Sequence, residues 1–222
     1  MKQLFTALLL LMPVTAFTQT EFSLPDGDTL QAYFDLPRDG GSGGWPLVVL
    51  LGGGPGDARV ASSTFRNHGD AFIDRGWAVT APVSPNGQSF WGSNAEKVRG
   101  LISVLKARPD IADGPVLLMG VSNGGISSLE IASRHPQEYL GVIAVPALAN
   151  NPTALAALNG FPVFLRIGSE DRLGWGSRFD STVSVLEEAG VDLDAQLLQG
   201  TGHTFPLDWQ QVGPWLEQVT SR

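Results

Sequence analysis

Short apolar runs alternate with longer segments of helical character along most of the chain. The runs are PLVVLL (46–51), WAVTAPV (77–83), PVLLM (115–119), LGVIAV (140–145), PVFLRI (162–167) and LDAQLL (193–198). Amphipathic segments at 61–75, 93–107, 125–135, 151–159, 177–190 and 206–219 lie between and after them. Apolar runs this short suit strands buried on both faces, and strands alternating with helices predict a mostly parallel central sheet with helices on both faces. Ahead of them, EFSLPDGDTLQAYFDLP (21–37) alternates loosely around PDGD, which predicts an N-terminal antiparallel hairpin. Ser93 and Glu96 predict a capping box at the start of the helix over 93–107. The stretch from 146 to 161 is too short to hold a substantial cap between two of the strands.

The two ends of the pattern carry different information. Lys2, an apolar run over 4–14 and the VTA that ends at Ala16 have the layout of a cleaved signal peptide. That run is much shorter than the roughly 20 residues that span a bilayer. No Cys follows it to accept a lipid. The expectation is therefore that 1–16 is removed and that 17–222 forms one secreted or periplasmic domain without a membrane span. RDGGSGGWP (38–46) reads as an exposed connector.

Composition narrows the function. A formal charge of −8, spread along the chain, argues against a nucleic-acid partner, which needs basic clusters. With no Cys there are no disulfides, and with only three His besides, a zinc site is disfavoured. No cofactor is expected.

Gly-x-Ser-x-Gly occurs twice, at 40–44 and at 120–124. Only the second stands between a predicted strand and a predicted helix. There the two glycines allow the sharp turn that lifts Ser122 above the sheet edge and onto a helix N-terminus. Ser42 has neither flank. A serine hydroxyl is a weak nucleophile until a neutral imidazole takes its proton, and that imidazole needs a carboxylate to fix its tautomer. After Ser122 the chain offers His135, at a helix end before Pro136, and His203, in the loop GTGHTFP. His203 is the candidate base, while His68 reads as a surface residue on a helix. Asp171, three residues past the strand PVFLRI and its glycine, is the candidate acid, with Glu170 as the alternative. The oxyanion of an acyl-transfer intermediate needs backbone donors, expected at Asn123 and at Gly53 or Gly54 of the GGGPG turn. A phosphate cradle is the rival reading of that turn, but it lacks the Lys-Ser/Thr ending of such loops. Phe90, Trp91 and Trp175 stand in loops at the same predicted edge and are candidate substrate contacts; Trp45, Trp209 and Trp215 are left to packing.

Three motifs carry a family likeness. GVSNGGISSLEIASRHPQEYLGVIAVPA, FPVFLRIGSEDRL and GTGHTFP resemble the nucleophile, acid and histidine segments of secreted polyhydroxybutyrate depolymerase and feruloyl-esterase-type, dienelactone-hydrolase-like serine esterases. Phe205 stands where that family has Trp after its histidine. The likeness runs over most of the chain from about Leu47 onward, and its specificity lies in these motifs. It implies an α/β-hydrolase fold and a Ser122–Asp171–His203 triad acting on small or polymeric carboxylic esters. The GGGPG turn is similar to the His-Gly-Gly-Pro-Gly of proline-iminopeptidase-type enzymes, with Gly52 at the His position; this implies Gly54 as the second oxyanion donor. A small-peptide or amide hydrolase with the same triad, and an inactive binding protein of the same fold, are the alternative readings.

Overall fold

The computed structural model describes residues 18–38 and 43–222. The expected signal peptide and Ser42 of the first pentapeptide lie outside the described residues. Eight strands form one sheet: β1 (Gln19–Ser23), β2 (Thr29–Asp35), β3 (Leu47–Leu51), β4 (Ala78–Pro82), β5 (Val116–Gly120), β6 (Tyr139–Ala144), β7 (Pro162–Gly168) and β8 (Asp192–Leu198). Their order is β1-β2-β4-β3-β5-β6-β7-β8. The hairpin β1–β2 is antiparallel and β2 runs antiparallel to β4; every other pairing is parallel. Each apolar run noted above became a strand, within one or two residues at its ends.

The packing of β3 shows why a continuous apolar run suits this position. Leu47, Val49 and Leu51 enter one core cluster, while Val48 and Leu50 enter the other, on the opposite face. Successive side chains of a strand point to opposite faces, so a strand covered on both sides needs every residue apolar. One face is covered by α3 (Ser93–Lys106), α4 (Asn123–Arg134) and α6 (Phe179–Glu188). The other is covered by α7 (Trp209–Thr220) and by a composite helix, which consists of α1 (Ala58–Thr64), a π-turn (Phe65–Gly69) and α2 (Asp70–Ile73). Between β6 and β7 stand only α5 (Pro152–Leu155) and one 3-10 turn, Ala156–Leu158. No large cap covers the sheet edge among the described residues.

The capping box does not form. Ser93 is the first residue inside α3, and Gly92, with φ 55°, occupies the cap position without a side-chain bond. A capping serine must stand one residue outside the helix, so Glu96 turns to Arg134 instead, at 3.1 Å. Asn94 ties down the preceding loop by donating to the Ser89 carbonyl and to Asn86 Oδ1, both at 2.8 Å.

Strands β4 and β5 follow β3 in sequence but flank it on opposite sides. Connections at such a point leave the sheet in opposite directions and open a crevice at the carboxyl ends of the strands. The loops after β3 and β5 therefore meet at the middle of the sheet edge.

Candidate active site

Ser122 follows β5 directly and caps α4, with φ 58° and ψ −122°. Such a backbone conformation is strained for a residue with a side chain and persists only where the surroundings impose it. Here the Ser122 N–H donates to the Pro146 carbonyl at 2.8 Å and the Val121 N–H to the Leu51 carbonyl at 3.0 Å. Both flanking glycines are required sterically. A Cβ on Gly120 would lie 2.2 Å from the Gly124 oxygen, and one on Gly124 would lie 2.0 Å from the Leu51 oxygen. Helix and strand can approach this closely only without those side chains.

The hydroxyl of Ser122 lies 2.9 Å from His203 Nε2, and His203 Nδ1 lies 2.6 Å from Asp171 Oδ2. Ser122, Asp171 and His203 are brought together from the carboxyl ends of β5, β7 and β8. The Asp171 side chain is fully buried, and its other oxygen accepts from the Leu173 N–H at 2.7 Å. Both carboxylate oxygens are thus engaged, which aims the acid at the imidazole. A proton on Nδ1 directed at a carboxylate leaves Nε2 free to accept from Ser122. Glu170, the alternative acid, is exposed, and no bond links its side chain to His203. His135 stands apart as the C-cap of α4.

The turn after β3 lies against the elbow. A Cβ on Gly53 would stand 3.1 Å from Ser122 Cβ, and Gly54 has φ 53°. The Gly53 carbonyl accepts from the Gly56 N–H at 3.0 Å, and the Gly54 carbonyl accepts from Asn123 Nδ2 at 3.1 Å. In a trans peptide the N–H points opposite to the carbonyl. The Gly54 N–H is therefore turned away from the bond that closes the turn. Neither this amide nor that of Asn123 has a partner among the described residues. The turn ends at Asp57, whose side chain accepts from the Val60 N–H at 2.9 Å and starts α1.

A cavity of about 960 Å³ opens beside Ser122 and His203. Val121, Val145, Leu173, Phe205 and Pro206 give its lining an apolar part, and α1 and the π-turn contribute a second part. Leu173, at 65% exposure, is the exposed large apolar side chain of the described residues.

The expected aromatic contacts fall elsewhere. Phe90 is 1% exposed and belongs to the core cluster, where it packs against Gly56; its loop folds inward under the Asn94 network. Trp91 is half-buried and does not line this cavity. Trp175 meets the His203 ring edge-on, with centroids 5.0 Å apart and planes at 89°, and is not among the residues lining the cavity. Leu173 and Phe205 line this cavity.

His68 corrects a second expectation. Far from being a surface residue, it is 8% exposed and lines this cavity from the π-turn. Burial pushes its imidazole down to about 4, so it is neutral at neutral pH. The signal was present in the spacing: Ala61, Thr64, Phe65, His68, Gly69 and Phe72 are the buried positions here and fall on one helical stripe. Residue type had hidden what the phase would have shown.

Among the described residues no cluster of three or more His, Asp or Glu could hold a metal, and no helix is long and apolar enough to cross a membrane.

No family model and no curated protein matches this chain. Solved structures do. A thermostable esterase superposes with a TM-score of 0.66 at 16% identity, over 92% of this chain and 62% of its own. This chain thus spans less than two thirds of that protein. The acetyl xylan esterase from Aspergillus awamori gives 0.65 at 14% identity, over 90% of this chain and 99% of its own. A dienelactone hydrolase-like promiscuous phosphotriesterase from metagenomic libraries gives 0.67 at 16%, over 92% and 96%. A ferulic acid esterase is similar at a TM-score of 0.64 and 16% identity. With the sheet order above, these likenesses define the α/β-hydrolase fold.

Proposed function

We propose that this chain is a serine hydrolase that cleaves carboxylic esters through Ser122, His203 and Asp171. The observation that carries the reading is the unbroken hydrogen-bond chain from Ser122 Oγ through the His203 ring to the buried Asp171, at 2.9 and 2.6 Å. His203 takes the Ser122 proton as Oγ attacks the ester carbonyl. The N–H groups of Asn123 and Gly54 donate to the oxyanion. Collapse of the intermediate expels the alcohol, which leaves with the proton held on His203 Nε2. Water, deprotonated by the same imidazole, then attacks the acyl-enzyme and releases the acid. Asp171 stays ionised throughout and stabilises the imidazolium.

With no large cap among the described residues, the open edge suits bulky, aryl or polymeric esters. The run over 4–14 and Ala16 support export of the chain, with cleavage near Ala16. The test is a panel of short and long p-nitrophenyl esters, aryl esters and aminoacyl anilides against the wild type and Ser122→Ala. Ester turnover lost in the variant supports the reading, and turnover that survives in it refutes it. Preference for anilides would mark an amide hydrolase, and no turnover of any substrate a binding protein.

A further inference from the structure

The wall that α1 and the π-turn contribute to the cavity is unusual for this chain. Arg59, Ser63 and Arg66 lie at i, i+4 and i+7 along α1 and the π-turn, and all three line the cavity. Beside them Val60, Thr64 and His68 form a second row. Arg66, Asn67 and His68 all reach it although they are consecutive. On an α-helix three such residues spread over more than half the circumference, and the wider π-turn holds them closer to one side.

The electrostatics of the wall are one-signed. The chain carries 22 Asp and Glu against 14 Lys and Arg, yet among the described residues no Asp or Glu lines this cavity. Its ionisable lining groups are Arg59, Arg66, His68 and His203. A second groove of similar size, about 950 Å³, shows the ordinary situation in this protein. There Arg99 is bound to Glu138 at 2.6 Å and Lys106 lies 3.3 Å from Asp113. Neither Arg59 nor Arg66 forms an ion pair with a described carboxylate. The His68 residue is more than nine-tenths buried, and its imidazole makes no side-chain hydrogen bond to another described residue. His68 lines the cavity, and its ring nitrogens are not among the buried polar atoms without a partner, so they remain accessible to a ligand.

We infer that this wall is a subsite for an anionic group, carboxylate or phosphate, carried by one half of the ester. The inference rests on the esterase reading above and names its substrate class. The other half of the ester lies on Leu173, Phe205 and Pro206, with the reacting carbonyl at Ser122. Two guanidinium groups supply the charge-assisted bonds, and the His68 imidazole supplies one uncharged donor.

Matched pairs test this. With the anion in the alcohol half, the pair is 4-acetoxybenzoate against its methyl ester, with 4-acetoxyphenyl phosphate as the phosphate arm. With the anion in the acyl half, it is mono-4-nitrophenyl adipate against 4-nitrophenyl hexanoate. The wild type should favour the anionic member of at least one pair by about ten-fold or more in kcat/KM, through KM. That ratio should fall toward one in R59Q/R66Q, and in the wild type as salt is raised, because exposed charges are screened. Binding of the uncleaved esters to Ser122→Ala, measured by calorimetry, reads the subsite without turnover. Tighter binding of the anionic ester, lost when R59Q/R66Q is added, supports the subsite even if no ester is hydrolysed. In that case the esterase reading falls and the subsite stands. Turnover without preference for the anion in either pair, or a preference unchanged in R59Q/R66Q, overturns the subsite and leaves the esterase reading intact.

Discussion

Asn123 donates from its side chain to the carbonyl of Gly54 at 3.1 Å, across 69 residues of sequence. The bond joins the turn after β3 to the first residue of α4, the two segments whose backbone amides face the reacting oxygen in the proposed mechanism. The side chain of one donor residue thus holds the loop of the other. Asn123→Ala keeps both amides but removes the tie. Since one such bond is worth about 1 kcal/mol, kcat should fall about three- to ten-fold with little change in KM. Steady-state kinetics on a p-nitrophenyl ester decides it; an effect confined to KM would place Asn123 in substrate binding instead.

Asp171 and Glu170 are neighbours in sequence with opposite surroundings. Asp171→Asn should lower kcat by about 10³–10⁴, because an amide no longer fixes the His203 tautomer. Glu170→Gln should change it less than about two-fold, as Glu170 is exposed and its carboxylate makes no bond to His203. The reverse ranking would exchange the two assignments.

The two Gly-x-Ser-x-Gly pentapeptides predict opposite sensitivities. Gly124→Ala would drive a Cβ to 2.0 Å from the Leu51 oxygen, and neither backbone can yield without moving β3 or α4. A loss of several kcal/mol in stability, or failure to fold, is expected by denaturant titration. Ser42→Ala should leave ester turnover intact. A well-folded, fully active Gly124→Ala protein would show that the elbow tolerates what the packing forbids.

His68 makes stability depend on pH in a defined window. Its folded-state pKa is lowered to about 4 from 6.5 by burial, so between these values the unfolded chain binds more protons. Stability from this group is complete above about pH 6.5 and is lost as pH falls toward 4, by about 3 kcal/mol in all. Urea unfolding at intervals across that range should show the slope, and His68→Gln should remove most of it. An unchanged slope in the variant would assign the acid limb to other groups.

The strands were readable from sequence because burial on both faces demands unbroken apolar runs, and few other structures in a chain of this composition do. The elbow was readable because a strand, two glycines and a helix have to coincide there. Ser122, Asp171 and His203 could be picked out by chain order, since each follows a strand that ends on the same sheet edge. Phe90 was misplaced because the loop position of an aromatic ring does not say which way the ring turns. The inward fold of the Phe90 loop depends on Asn94, and the contact of Trp175 with His203 depends on a loop 28 residues away.

What sequence alone determined is thus the local part: strand positions, the turn into α4, and the chain order of Ser122, Asp171 and His203. These follow from periodicity and backbone sterics, which act over a few residues. Tertiary structure decided the rest: the buried place of His68, the shared face of Arg59 and Arg66, the bond from Asn123 to Gly54, and a cavity lining without acids among the described residues. Such relations are set by which segments pack across the sheet edge, and no spacing along the chain encodes the sum of those distant contacts.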